Sequence, residues 1–175
     1  MESLIVVHLV ERRPVGTTFP RLRVAWPLHI TLLPWFEVED SRTADLLSAI
    51  ERYAKSLRKF VAVVGDTENF GPGKDIPVNL IVDQQPIAKM HDDLLDLTKQ
   101  HGALLSSQAN ALSSAAGRKY RAHITHHVVN GTVHRRFPGD KETFADITVA
   151  RLFDKDGGQM CEIVKHFEFE QGGQI

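Results

Sequence analysis

The tripeptide His-Ile-Thr occurs twice, at His29-Ile30-Thr31 and at His123-Ile124-Thr125, each time in a stretch rich in apolar and β-branched residues. No other feature constrains the fold as strongly. Side chains alternate between the two faces of a β-strand, so residues i and i+2 share one face. His29 and Thr31 therefore project together, with Ile30 and Leu32 buried behind them. His123 and Thr125 do the same from a second strand, with Ile124 behind. Brought side by side, two such strands offer two imidazoles and two hydroxyls to one small anionic group. With 9 histidines in 175 residues, random placement yields about half a His-x-Thr match, so one copy means little and a matched pair means more.

The chain is long enough for one well-buried core and too short for two ordinary domains. Residues 1–170 are expected to form a single domain with two lobes, followed by a polar tail at 171–175. A net charge of −1 creates no global field that would gather long nucleic acid, so any contact with a polyanion must be local. Cys161 is the only cysteine, which rules out an intrachain disulfide and fits a reducing compartment. The first residues lack a basic signal-peptide start, and no apolar run approaches membrane-spanning length. A cytoplasmic, monomeric protein without a membrane partner is expected.

Leu4 to Val10 reads as a buried strand, and Glu11 to Arg23, with Pro14, Gly16 and Pro20, as a basic loop. Leu28 to Phe36 is a strand that Pro27 and Pro34 mark as short or at an edge. Ser41 caps a helix running to about Arg58, with Leu46, Leu47, Ile50, Ala54 and Leu57 on one face. Strands follow at Phe60–Val64 and Val78–Val82. A second helix begins around Pro86, carries Ile87, Met90, Leu94 and Leu97 as its apolar stripe, and stops at Gly102. Ala103 to Gly117 has no clear pattern. Arg121 to Val129 reads as one strand ended by Asn130-Gly131, Thr132 to Asp140 as a loop, and Ala145–Phe153 with Met160–Phe169 as a hairpin turning at Asp154–Gly158. The order ββ-α-ββ-α-βββ lacks regular βα alternation. It predicts an α+β fold with antiparallel sheets, two main helices packed outside them and a pseudo-twofold duplication.

Paired His-x-Thr motifs at this separation, in a chain this short, resemble the 2H phosphoesterase superfamily, specifically its 2′-5′ RNA ligase-like and cyclic phosphodiesterase branch. The likeness runs from the first strand through both motifs and both helices to the closing hairpin. It implies a bilobed fold with a central cleft, and action on 2′,3′-cyclic phosphates or 2′-5′ linkages of RNA ends or small nucleotides, with no metal and no cofactor. Two positions depart from the pattern. His126 stands where a small or apolar residue is usual, and Val128 stands near the place of a common arginine. Phosphate-binding charge would then come from Arg121, Arg118 or Lys119.

The residues support the same chemistry on their own terms. Imidazole titrates near pH 6.5, so one of a pair can be neutral while the other is protonated. One then takes a proton from water or a ribose hydroxyl and the other protonates the leaving oxygen, each role contributing about 10²–10⁴-fold. Thr31 and Thr125 can donate hydrogen bonds to non-bridging oxygens. Which histidine is the acid is not readable from the sequence. Tyr120, Trp26, Trp35 and Phe19 are candidates to stack on a base, against the alternative of core packing. Arg118, Lys119 and Arg121 are candidates to hold phosphate.

Two rival readings use the same residues. A non-catalytic RNA- or nucleotide-binding module would bind the phosphate without turnover. A metal hydrolase would need His123, His126 and His127 to converge. In a continuous strand His126 points away from the other two, and those stand about 13 Å apart. His8, His91, His101 and His166 read as structural or surface residues, and His91 and His101 show no partner.

Overall fold

The structure is a computed structural model and describes residues 1–22, 25–107 and 120–170. Its strands and helices follow in the order β1 (Glu2–Leu9), β2 (Thr18–Pro20), β3 (His29–Val38), α1 (Asp40–Ser56), β4 (Phe60–Phe70), β5 (Ile76–Ile81), α2 (Gln85–Gln100), β6 (Leu104–Leu105), β7 (His123–Thr125), β8 (His127–Val129), β9 (Thr132–His134), β10 (Lys141–Phe144), β11 (Asp146–Lys155) and β12 (Gly158–Glu168). One sheet runs β2-β12-β11-β1-β3-β6 and a second β10-β4-β5-β7, while β8 and β9 form a separate hairpin. The pairings within them are antiparallel. The fold is α+β, as the element order implies.

The first sheet buries both faces, and the alternation along β1 shows why. Leu4 and Val6 point into a large core, whereas Ile5, Val7 and Leu9 point into a smaller one with Phe19 and Trp26. The large core is continuous across both sheets and both helices. It takes Ile30 and Leu32 from β3, Val64 from β4, Ile81 from β5, Ile124 from β7 and Phe144 from β10. On it, α1 contributes Leu46, Ile50 and Ala54, and α2 contributes Ile87, Met90 and Leu94. These are the stripes expected from 3.6-residue spacing. The helices touch each other, and beyond that contact α2 packs on β3 and α1 on β12.

Several boundaries differ from the sequence reading. The strand through Pro34 is neither short nor confined to an edge. It runs ten residues between β1 and β6. Pro34 is tolerated because the β1–β3 register shifts there, from Leu4 opposite Phe36 to Val6 opposite Leu33. At such a bulge the missing N–H costs no ladder bond. The expected strand Arg121–Val129 is split at His126. Its second half pairs instead with Thr132–His134, a segment expected to be loop. The turn between them, Asn130 and Gly131, has φ of 50° and 77°, the left-handed pair of a two-residue hairpin. Three further strands go beyond the sequence reading: β2 within the basic loop, β6 directly after α2, and β10 ahead of the closing hairpin. That hairpin stands as expected, turning on Asp156 and Gly157 with φ of 51° and 78°.

Candidate active site

Both motifs obey the strand rule. Ile30, Leu32 and Ile124 are fully buried, while His29, Thr31, His123 and Thr125 are half-buried on the opposite face. The two motifs come from different sheets, and β7 lies against β3 where the sheets meet.

The two histidines are held in the same way. His29 donates its Nδ1–H to the carbonyl of Pro27 at 2.8 Å, and His123 donates its own to the carbonyl of Arg121 at 2.7 Å. Each bond reaches two residues back along the chain and fixes the tautomer, so each neutral ring presents Nε2 as a free lone pair. Burial pushes the His29 pKa down to about 4, with smaller contributions from the like charges of His127 and His123. His123 is also lowered, first by burial and then by the Arg121 guanidinium. His29 therefore sits within electrostatic reach of both other imidazoles.

A set of polar contacts outside the motifs positions them. The Gln84 amide oxygen accepts the backbone N–H of Ala122 at 2.5 Å, and its nitrogen donates to the carbonyls of Ile81 and Ala122 at 2.6 and 3.0 Å. Ala122 immediately precedes His123. Tyr120 donates its hydroxyl to the carbonyl of Thr31 and stacks on His91, with ring centroids 4.3 Å apart. His91 is buried and donates Nδ1–H to the carbonyl of Leu32 at 2.7 Å. The expectation that His91 shows no partner is thereby corrected. His101 likewise has one, its Nδ1 bonding the carbonyl of Leu97 at 2.9 Å. A helix histidine reads as partnerless only while the strand it faces is unknown.

A cavity of about 350 Å³ opens beside His29 and Thr31, with Arg21, Trp26 and Trp35 on its walls. Trp26 is buried, with its ring 5.0 Å from that of His29 and 4.7 Å from that of Phe19, which is itself buried. Arg21 lies over Trp35. Around His123, the Phe70 ring stands at 4.8 Å, with Arg121 over its face and bridged to Glu68 at 2.9 Å. Arg118 and Lys119 lie outside the described residues, as does the tail from 171 to 175.

The histidine cluster does not converge. Asn79 donates its amide to Gly65 and Thr67, leaving its oxygen to accept from His126 Nε2 at 2.6 Å. His126 is thus tied to β5 and turned from the cleft. His127, beyond the break, returns to it, with its ring centroid 6.4 Å from that of His29. Among the described residues no group of three or more His, Cys, Asp or Glu side chains is arranged to hold a metal ion. Gln84 and Phe70 lie outside the set of candidates that the sequence singles out, and His127 enters it only in the metal reading. Only His127 has a signal there, in the unusual density of histidines after the second motif.

The family model of the 2′-5′ RNA ligase superfamily matches residues 6–137. No curated protein sequence matches the chain at a significant level. Among solved structures the chain is similar to TT0787 of Thermus thermophilus, with a TM-score of 0.63 at 17% identity, covering 98% of this chain and 100% of that one. It is also similar to a phosphoesterase, with 0.60 at 13% identity over 97% and 99%. Escherichia coli LigT complexed with 3′-AMP gives 0.59 at 14% identity over 97% and 99%. At such identities the likeness is one of fold.

Proposed function

The chain belongs to the 2′-5′ RNA ligase superfamily, and on that premise we propose that it is a phosphoesterase acting on 2′,3′-cyclic phosphates or 2′-5′ phosphodiesters of RNA ends or small nucleotides. The observation that carries this reading is the matched tethering of His29 and His123. Each is pinned through Nδ1 to the carbonyl two residues earlier, each presents Nε2, and each has a threonine on its own face.

The pKa of His29, lowered to about 4, keeps it neutral through the ordinary pH range and favours it as the base. It takes a proton from water as the water oxygen attacks phosphorus. The bond from phosphorus to the leaving ribose oxygen breaks, and that oxygen takes a proton from His123. With a ribose hydroxyl in place of water the same course cleaves a 2′-5′ linkage to a 2′,3′-cyclic phosphate, and ligation is the reversal of that cleavage, with the two roles exchanged. Thr31 and Thr125 hydroxyls hold the non-bridging oxygens, where negative charge grows in the transition state. Arg121 adds a cation next to His123. Tyr120, engaged with Thr31 and His91, holds the motifs in place instead of stacking on a base. Arg21 and Trp35 offer a stacked surface to the nucleoside. Escherichia coli LigT, the same fold, has been crystallised with 3′-AMP, NADP+ and ATP, which supports a small nucleotide as ligand.

The test is incubation of the purified protein with 2′,3′-cyclic nucleotides and 2′-5′-linked dinucleotides, without added metal, and identification of the products. Turnover that His29→Ala and His123→Ala each abolish supports the reading. Tight binding with no product would support a receptor instead.

A further inference from the structure

We propose that His127 is a substrate-binding residue of this site, donating a ring N–H to a non-bridging oxygen of the phosphoryl group that His29 attends. The inference rests on the phosphoesterase reading given above. It begins from the break in the second motif's strand. The His126 N–H bonds the carbonyl of Pro77 at 3.0 Å, and its ring is held by Asn79. The next residue therefore leaves the sheet and opens the β8–β9 hairpin, with His127 directly opposite His134. Without that break, strand rise would carry His127 well past the cleft.

The separation between the rings fits a shared phosphate. A hydrogen bond between an imidazole nitrogen and an oxygen spans about 2.7–2.9 Å, so a ring donating to a non-bridging oxygen and a ring whose Nε2 accepts from the attacking water at the same phosphorus have centroids roughly 6–9 Å apart. His29 and His127 stand at 6.4 Å with their planes tilted by 55°. The like charge of His127 is also among the causes that lower the His29 pKa.

His127 is buried, but it has access to a cavity. It is only 3% exposed, yet it lines a space of about 350 Å³ that shares Trp26 as a wall with the cavity beside His29 and Thr31. Facing it there are His134 from β9 and the pair Glu11 and Arg13 from the loop after β1. In a site that excludes water, a single N–H bond to a charged oxygen is stronger than the same bond in solution. Val128, the next residue, is 54% exposed on the outer face of the hairpin, where it pairs with Val133. The contribution to the phosphate from this segment comes from His127.

The test uses the full chain and two substitutions. His127→Phe keeps a flat ring and removes the N–H, and His127→Gln keeps an N–H donor without the ring. With a 2′,3′-cyclic nucleotide as substrate, His127→Phe is expected to raise KM about ten- to hundredfold with a smaller change in kcat. His127→Gln is expected to recover most of that loss. Calorimetric titration with inorganic phosphate should show the same order of affinity: parent, then His127→Gln, then His127→Phe. A Phe variant with the parent's KM and phosphate affinity overturns the proposal, as does a Gln variant no better than Phe. If the parent protein binds phosphate but turns nothing over, the titration still decides the role of His127. If it neither binds phosphate nor turns over, the phosphoesterase reading falls and this proposal with it.

Discussion

Tyr120 Oη donates to the backbone carbonyl of Thr31 across 2.7 Å, so the segment leading into one histidine motif is fastened directly to the other motif. The donor comes from just ahead of β7 and the acceptor from within β3. The bond ties the approach to one sheet to a strand of the other, close to where both motif strands begin. Burial pushes the Tyr120 phenol above its ordinary pKa, so it remains a donor throughout the working pH range.

Tyr120→Phe keeps the ring stacked on His91 and deletes only that donor. It should cost about 1–3 kcal/mol of stability, because the Thr31 carbonyl loses its partner in a half-buried site. The rate should fall as well, since Thr31 is no longer registered against the second motif. Denaturant unfolding and steady-state kinetics on the same preparation check both.

Gln84→Ala removes a clamp instead of a bolt. The N–H and carbonyl of Ala122, a fully buried residue, both lose side-chain bonds. The Ala122 carbonyl keeps the Ile81 N–H at 3.1 Å, so a loss of about 1–3 kcal/mol is expected from the one stranded N–H, with kcat lowered more than KM because His123 is the next residue. Equal kcat in the variant and parent would show that His123 is positioned without Gln84.

His29→Ala and His123→Ala should each lower kcat/KM by about 10²–10⁴-fold while leaving the circular dichroism spectrum unchanged. The double variant should be little worse than either single one, because an acid and a base that act in the same step are not additive.

The rate should peak on the acid side of neutrality. His29 must be neutral to act as base, which holds above about pH 4. His123 must be protonated to act as acid, and its pKa lies below the ordinary imidazole value. The maximum of kcat/KM therefore falls between about 4 and 6.5. An optimum above pH 7 would show that these two imidazoles do not govern the rate.

Stability carries the same signature. Free imidazole titrates near 6.5 and His29 in the folded chain near 4. As pH falls through that window the unfolded chain takes up a proton that the folded chain refuses, so this group's contribution is present above 6.5 and is lost toward 4. The loss is about 2–3 kcal/mol. Unfolding at pH 7 and pH 4.5 should show a smaller acid penalty for His29→Ala than for the parent.

The central strands and helices were legible because their apolar periodicity is local. Ile30 and Leu32 behind His29 and Thr31, or Leu46, Ile50 and Ala54 on α1, declare their faces within a few residues. The strand β10 did not, because its inward positions are Glu142 and Phe144. Glu142 is buried only because His8 comes from β1 to meet it at 2.9 Å and Arg136 joins at 3.1 Å. No alternation of apolar residues marks such a strand. The hairpin at Asn130-Gly131 did carry a local signal, and the β-branched run through His126 outweighed it. What could not be read was the break of the strand at His126, whose ring is held by Asn79, a residue of another strand. The place of His127 depends on it too.

The closing hairpin has a further bearing on how this protein acquires its site. The late strands β11 and β12 pair with β1 and β2, while β10, directly before them, completes the other sheet. Neither sheet can be assembled from one half of this polypeptide, so strands from both halves must be in hand before the two motifs can come together. Cutting the gene in the middle should give fragments that are inert apart and regain activity, if at all, only when mixed.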